Sequence, residues 1–131
     1  MVWPDLVYYH ERIHPIPGKV RTDDEVVFDS SLFQYYKTLV RVRKENMALR
    51  RGDFTPLLVD DANSLYVFRR VSGGNEAMVL LNNSVARQRV DLKLPGMWNY
   101  RDQLTRRLVE GKDDFSCELG AKSGTILIRE K

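Results

Sequence analysis

Few side chains in this sequence stand at a spacing that catalysis or ligation requires. His10-Glu11-Arg12-Ile13-His14 spells the HExxH pattern of zinc proteases. That chemistry needs both imidazoles on one helical face, with the glutamate beside a metal-bound water. Pro15 disfavours helical geometry at His14, Pro17-Gly18 follows at once, and the chain holds no third histidine to complete a ligand set. Three aspartate pairs, Asp23-Asp24, Asp60-Asp61 and Asp113-Asp114, invite an acid–base reading. Glycoside hydrolysis needs carboxyls about 5–9 Å apart across a cleft, one with its pKa raised by burial. Adjacent aspartates in polar turns meet neither need.

Other motifs have a plainer reading beside the chemical one. Arg51-Gly52-Asp53 spells an adhesion tripeptide, yet a helix-end arginine, a left-handed C-cap glycine and a loop aspartate account for every letter. Asn82-Asn83-Ser84 is formally a glycosylation sequon and equally a polar turn. Tyr66, Trp98 and Tyr100 are candidate sugar-stacking rings, although aromatics at two-residue spacing in strands more often fill a core. No catalytic residue, cofactor site or metal site is assigned.

Composition narrows the partners. The 131 residues suit one domain with a real core, and 43% hydrophobic with 30% charged side chains argues against disorder. A net charge of +3 is too small an excess to imply nucleic acid, and the basic residues are interleaved with acids. No apolar run approaches membrane-spanning length. A single cysteine, Cys117, excludes an internal disulfide.

The elements that position these residues follow from periodicity. Residues 1–28 read as an extended segment broken by prolines, with Val26, Val27 and Phe28 placed to staple the chain to a following helix. Leu32, Tyr36, Leu39 and Val40, widened by Tyr35 and Val42, recur at helical spacing. Residues 29–51 are therefore expected to form one uninterrupted helix, capped by Asp29, Ser30 or Ser31, with Ser31 and Gln34 at capping-box spacing. Residues 52–131 change to short apolar runs between turns, about eight strands in all. The expected fold is mainly β, an antiparallel Greek-key β-sandwich preceded by one long helix.

These residues also carry a family resemblance. Met1-Val2-Trp3 is followed by Phe33, Tyr36, Leu39, Val42-Arg43, Glu45-Asn46, Ala48-Leu49 and Gly52-Asp53-Phe54. The pattern resembles the last barrel helix of the alpha-amylase family, in its neopullulanase and cyclomaltodextrinase branch, running into the β-sandwich called domain C. Leu65 to Arg70, the strand ending Asn82-Asn83-Ser84, Trp98 with Gln103-Leu104, and Leu119 with Ser123-Gly124 occur in the same order. The resemblance implies a parent enzyme that hydrolyses α-glucosidic bonds in maltodextrin-like substrates, with its catalytic carboxylates upstream of Met1. The chain itself is expected to be non-catalytic and to pack against the catalytic barrel of the same polypeptide. Trp3, Tyr35, Tyr36, Leu39, Val42 and Arg43 are the expected interdomain residues. Apolar positions left uncovered in the isolated chain are expected to promote self-association. A rival reading makes the chain a carbohydrate-binding module with weak α-glucan affinity at Tyr66, Trp98 and Tyr100.

Overall fold

A computed structural model describes Asp5, residues 13–20 and residues 26–130. Trp3, His10, Glu11, Asp23 and Asp24 lie outside the described residues. The chain divides into two compact units, Met1–Lys37 and Thr38–Lys131.

In the first unit, Asp29 starts helix α1 (Ser30–Glu45). Its Oδ1 accepts the Leu32 amide at 2.9 Å and the Ser31 hydroxyl at 2.7 Å. These two bonds hold the carboxyl below the usual carboxylate range. The N-cap is thus Asp29, and the expected Ser31–Gln34 box is not used, because the first helical residue is Ser30. Phe28 and Phe33 pack with ring centroids 5.5 Å apart, the hydrophobic staple expected one residue before the cap and four after it.

In the second unit, the expected single helix is broken. Asn46 adopts an extended conformation, φ −111° and ψ 113°, and a short helix α2 (Met47–Arg51) follows. The Asn46 side-chain amide donates to the Val42 carbonyl at 2.7 Å, while its backbone amide reaches the same oxygen at 3.2 Å. A short polar side chain that serves a carbonyl one turn back lets the backbone leave the helix. The break lets Val42, Ala48 and Leu49 share one buried cluster with Ala77, packed by Val79, Ile126 and Ile128.

Gly52 ends α2 without the left-handed conformation expected of it, at φ −66° and ψ 154°. Glycine is needed there for space. A Cβ would stand 2.5 Å from the Ala48 carbonyl oxygen and 2.9 Å from the Val71 amide nitrogen.

Among the described residues six strands follow: β1 (Asp53–Asp60), β2 (Leu65–Ser72), β3 (Asn75–Asn82), β4 (Gln88–Asp102), β5 (Leu108–Leu119) and β6 (Ser123–Arg129). All described pairings are antiparallel, in the order β1-β2-β3-β6-β4-β5. The count is six rather than eight because two expected turns lie inside long strands. Pro95-Gly96 bulges out of β4 where the register slips between Leu94 and Met97. Opposite it, Asp113 takes a positive φ of 60° and its carboxylate accepts the Gly96 amide at 2.8 Å. Turn-forming residues here make a bulge, which bends a strand without ending it.

β6 pairs with β4 only at Tyr100, Arg101 and Asp102. The rest of β4 and β5 therefore curls over the other strands. Leu65, Val67, Met78, Leu80 and Leu127 from one half meet Val90, Trp98, Tyr100, Phe115 and Leu119 from the other. At one end of this core the Tyr100 hydroxyl donates to Glu76 at 2.5 Å, and Arg129 pairs with the second oxygen of that carboxylate at 3.0 Å. Burial, then the Glu76 carboxylate, pushes the Tyr100 phenol above its ordinary pKa.

Asp102 closes the turn after β4, its carboxylate accepting the amides of Leu104 at 2.8 Å and Thr105 at 3.1 Å. Burial alone would raise its pKa, but the amides of Thr105 and Leu104 outweigh it and the net shift is downward. The fold thus prefers the ionised form. Its contribution is complete above the unfolded pKa of about 4 and is lost as pH falls through the lower folded value. Urea unfolding from about pH 5 to about pH 2 should show wild type losing more stability than Asp102→Asn across that window.

Candidate functional site

The residues with chemical spacing do not converge. His14 directly precedes a bend at Pro15 and Ile16, and its Nδ1 accepts the Ile16 amide at 2.9 Å. Asp60 spends its carboxylate on Asn63, whose side-chain amide at 2.7 Å and backbone amide at 3.0 Å hold its pKa down. Asp113 supports the β4 bulge, and exposed Asp114 pairs with Lys93. Among the described residues no three of His, Cys, Asp and Glu come together as metal ligands. Gly52 of the adhesion-like triplet is buried between α2 and β2. The sequon's Asn82 is 3% exposed, and its amide is committed to the Ala86, Leu119 and Gly120 carbonyls. Burial pushes the Cys117 thiol up, away from the reactive thiolate.

The three sugar-contact candidates are separated. Trp98 and Tyr100 are buried in the core, ring centroids 6.1 Å apart. A Cβ at Gly111, the cross-strand partner of Trp98, would lie 2.4 Å from the indole, so the ring covers the glycine backbone. Tyr66 alternates with the core residues Leu65 and Val67 and so faces the other side of the sheet. It packs with Phe68 at 5.7 Å, and Phe68 with Phe54 at 4.9 Å. No flat platform joins Tyr66 to Trp98 and Tyr100.

The residues expected between domains also divide. Val42 is fully buried within its own unit, as part of the helix–sheet cluster, and does not face outward. Tyr35 and Tyr36 are about half exposed, at 47% and 50%, and Leu39 is half-buried. Arg43 is exposed and caps α2, its Nη1 donating to the Leu49 carbonyl at 2.7 Å. Arg70 donates to the same oxygen at 2.7 Å, and its Nε and Nη2 reach the Gly52 carbonyl at 3.3 and 2.8 Å. Cations suit the negative end of a helix, but two guanidinium groups on one oxygen also repel, by on the order of 3 kcal/mol at a surface dielectric. Beside them the outer face of β1, β2 and β3 shows Phe54, Val59 and Leu81 to solvent.

No protein-family model matches the chain. Relatives do. The chain is 32% identical to neopullulanase 2 of Thermoactinomyces vulgaris over 93% of its own length and 22% of the relative's. It is 31% identical to a cyclomaltodextrinase of Geobacillus thermopakistaniensis over 60% of its length and 14% of that protein. The crystal structure of an alpha-amylase from Geobacillus thermoleovorans, complexed with acarbose, superposes with a TM-score of 0.73 at 28% identity, over 79% of this chain and 24% of that one. The chain matches a C-terminal region of the alpha-amylase family. A cyclomaltodextrinase structure shares the fold, with a TM-score of 0.72 at 21% identity, over 78% of this chain and 18% of that one. The chain spans only 22% of the first of these curated relatives and 14% of the second.

Sequence reasoning singled out Arg43 and missed its partner. Arg70 lies in an ordinary strand pattern, and only the cross-strand register Phe54↔Arg70 carries it next to the end of α2. Glu76 was likewise invisible, since a glutamate after a hairpin glycine pair reads as solvated until Tyr100 is seen to reach it.

Proposed function

We propose that this chain is the non-catalytic C-terminal part of an enzyme that hydrolyses α-glucosidic bonds in maltodextrin-like substrates. In this reading residues 1–28 complete the catalytic barrel, residues 29–51 supply its last helical segment, and residues 52–131 are domain C. Trp3, Tyr35, Tyr36, Leu39 and Arg43 meet the barrel of the same polypeptide, and the packing stabilises it. The observation that carries the reading is the match of nearly the whole chain to a small share of neopullulanase 2. Half-exposed Tyr35 and Tyr36 support it, because apolar surface of that kind is favourably covered.

The test uses the intact protein, encoded with its flanking sequence, and a version lacking residues 53–131. The intact protein should release reducing sugar from maltoheptaose, the 131-residue chain alone should release none, and the shortened version should inactivate at a lower temperature. A reading frame that starts at Met1, with no barrel encoded upstream, would overturn the reading.

A further inference from the structure

Arg43 and Arg70 form an unbalanced pair of charges. Both Nη1 atoms lie 2.7 Å from the Leu49 oxygen, so the guanidinium groups are neighbours. Among the described residues, every ion pair involves other side chains, and no carboxylate lies within ion-pair distance of either arginine. Neutral carbonyls fix their positions without cancelling their charge. Arg43 commits a single N–H group, which leaves its remaining donors free. Phe54, the register partner of Arg70, is 55% exposed and rests on Phe68. A cationic fork beside an open aromatic ring is a surface with one missing partner.

We propose that Arg43 and Arg70 receive a carboxylate side chain from another domain of the same polypeptide, and that apolar side chains flanking that carboxylate cover Phe54. The inference rests on the packing reading above and names the contact that anchors it. A domain is the favoured occupant because this chain spans only 22% of its neopullulanase relative, so most of such a protein lies outside it. Charge complementarity sets the chemistry, since planar guanidinium groups bind a carboxylate through paired N–H donors.

The experiment compares the intact protein, encoded with its flanking sequence, with the 131-residue chain, each as wild type and as Arg43→Gln. Hydroxyl-radical footprinting reads the exposure of Phe54, and pulse proteolysis reads the fraction of open molecules. The expected result is that Phe54 is oxidised roughly fivefold more slowly in the intact protein, and that Arg43→Gln raises its open fraction roughly tenfold beyond the effect on the chain. That excess should shrink as salt is raised, and Arg43→Lys should recover part of it. If Arg43→Gln unfolds the chain, Arg43→Lys takes its place in the comparison. Equal effects in both proteins, with Phe54 still protected, would overturn the carboxylate contact and leave the packing reading standing. Equal oxidation of Phe54 in both would overturn the packing reading and the contact with it.

Discussion

Asn82→Asp should cost the fold about 3–5 kcal/mol at neutral pH, the largest single loss expected from an isosteric change in this chain. Asn82 ends β3, and its side-chain nitrogen donates to the carbonyls of Gly120 at 2.6 Å, Ala86 at 2.9 Å and Leu119 at 3.4 Å. Its oxygen accepts the Ser84 amide at 2.9 Å. One buried amide thus ties the loop before β4 to the turn between β5 and β6. Aspartate keeps the shape and removes both donors, leaving a buried carboxylate facing oxygens. Raising a buried carboxyl's pKa means that the penalty is present above that raised value and eases as pH falls through it, when the protonated group can donate again. Thermal unfolding should show a Tm loss on the order of 10 °C at neutral pH. The gap from wild type should narrow toward about pH 4. A Tm within about 2 °C of wild type at neutral pH would mean the amide carries no such load.

Gly52→Ala should be nearly as damaging, at about 3 kcal/mol, although alanine adopts the glycine's backbone angles without strain. The added methyl would stand 2.5 Å from the Ala48 oxygen, 2.9 Å from the Val71 nitrogen and 3.0 Å from the Val71 oxygen. All three are backbone atoms, so α2 must move off β2 to make room. That movement would also pull Leu49 and Gly52 from the Arg70 guanidinium that holds their carbonyls. Gly96→Ala provides the contrast. Gly96 has a φ of +86° with nothing near its missing Cβ, so alanine meets backbone strain of about 1–2 kcal/mol and no collision. Urea unfolding of the two variants should rank Gly52→Ala well below Gly96→Ala. The reverse order would show that α2 sits on β2 more loosely than these distances allow.

The contrast between the two glycines shows how far local patterns carry. Gly96 follows a proline in a turn-forming pair, and its positive φ is what that pair suggests. Gly52 follows two arginines at a helix end and suggests the same conformation, yet it is extended and serves a close approach between elements distant in sequence. A cap among Asp29, Ser30 and Ser31 and a staple from residues 26–28 were legible because both depend on residues within one turn, and the structure selected Asp29 and the Phe28–Phe33 pair. The break at Asn46 was not, since Asn46 satisfies helical periodicity as well as any neighbour and its effect appears only through the bond to Val42.

Periodicity and turn chemistry determined the order of elements, a capped helix and then β-strands with alternating burial. They also marked Trp98 and Tyr100 as more plausible core than sugar platform, since their two-residue spacing puts both on one strand face. Tertiary structure alone decided the merging of eight expected strands into six, because a bulge and a turn use the same residues and differ only in whether a partner strand continues opposite them. It decided the opposite placement of Tyr66, which depends on the face that each strand turns to the curled sheet. It also brought Arg70 to Arg43, through a register that pairs β1 with β2 in space and leaves no trace in local sequence.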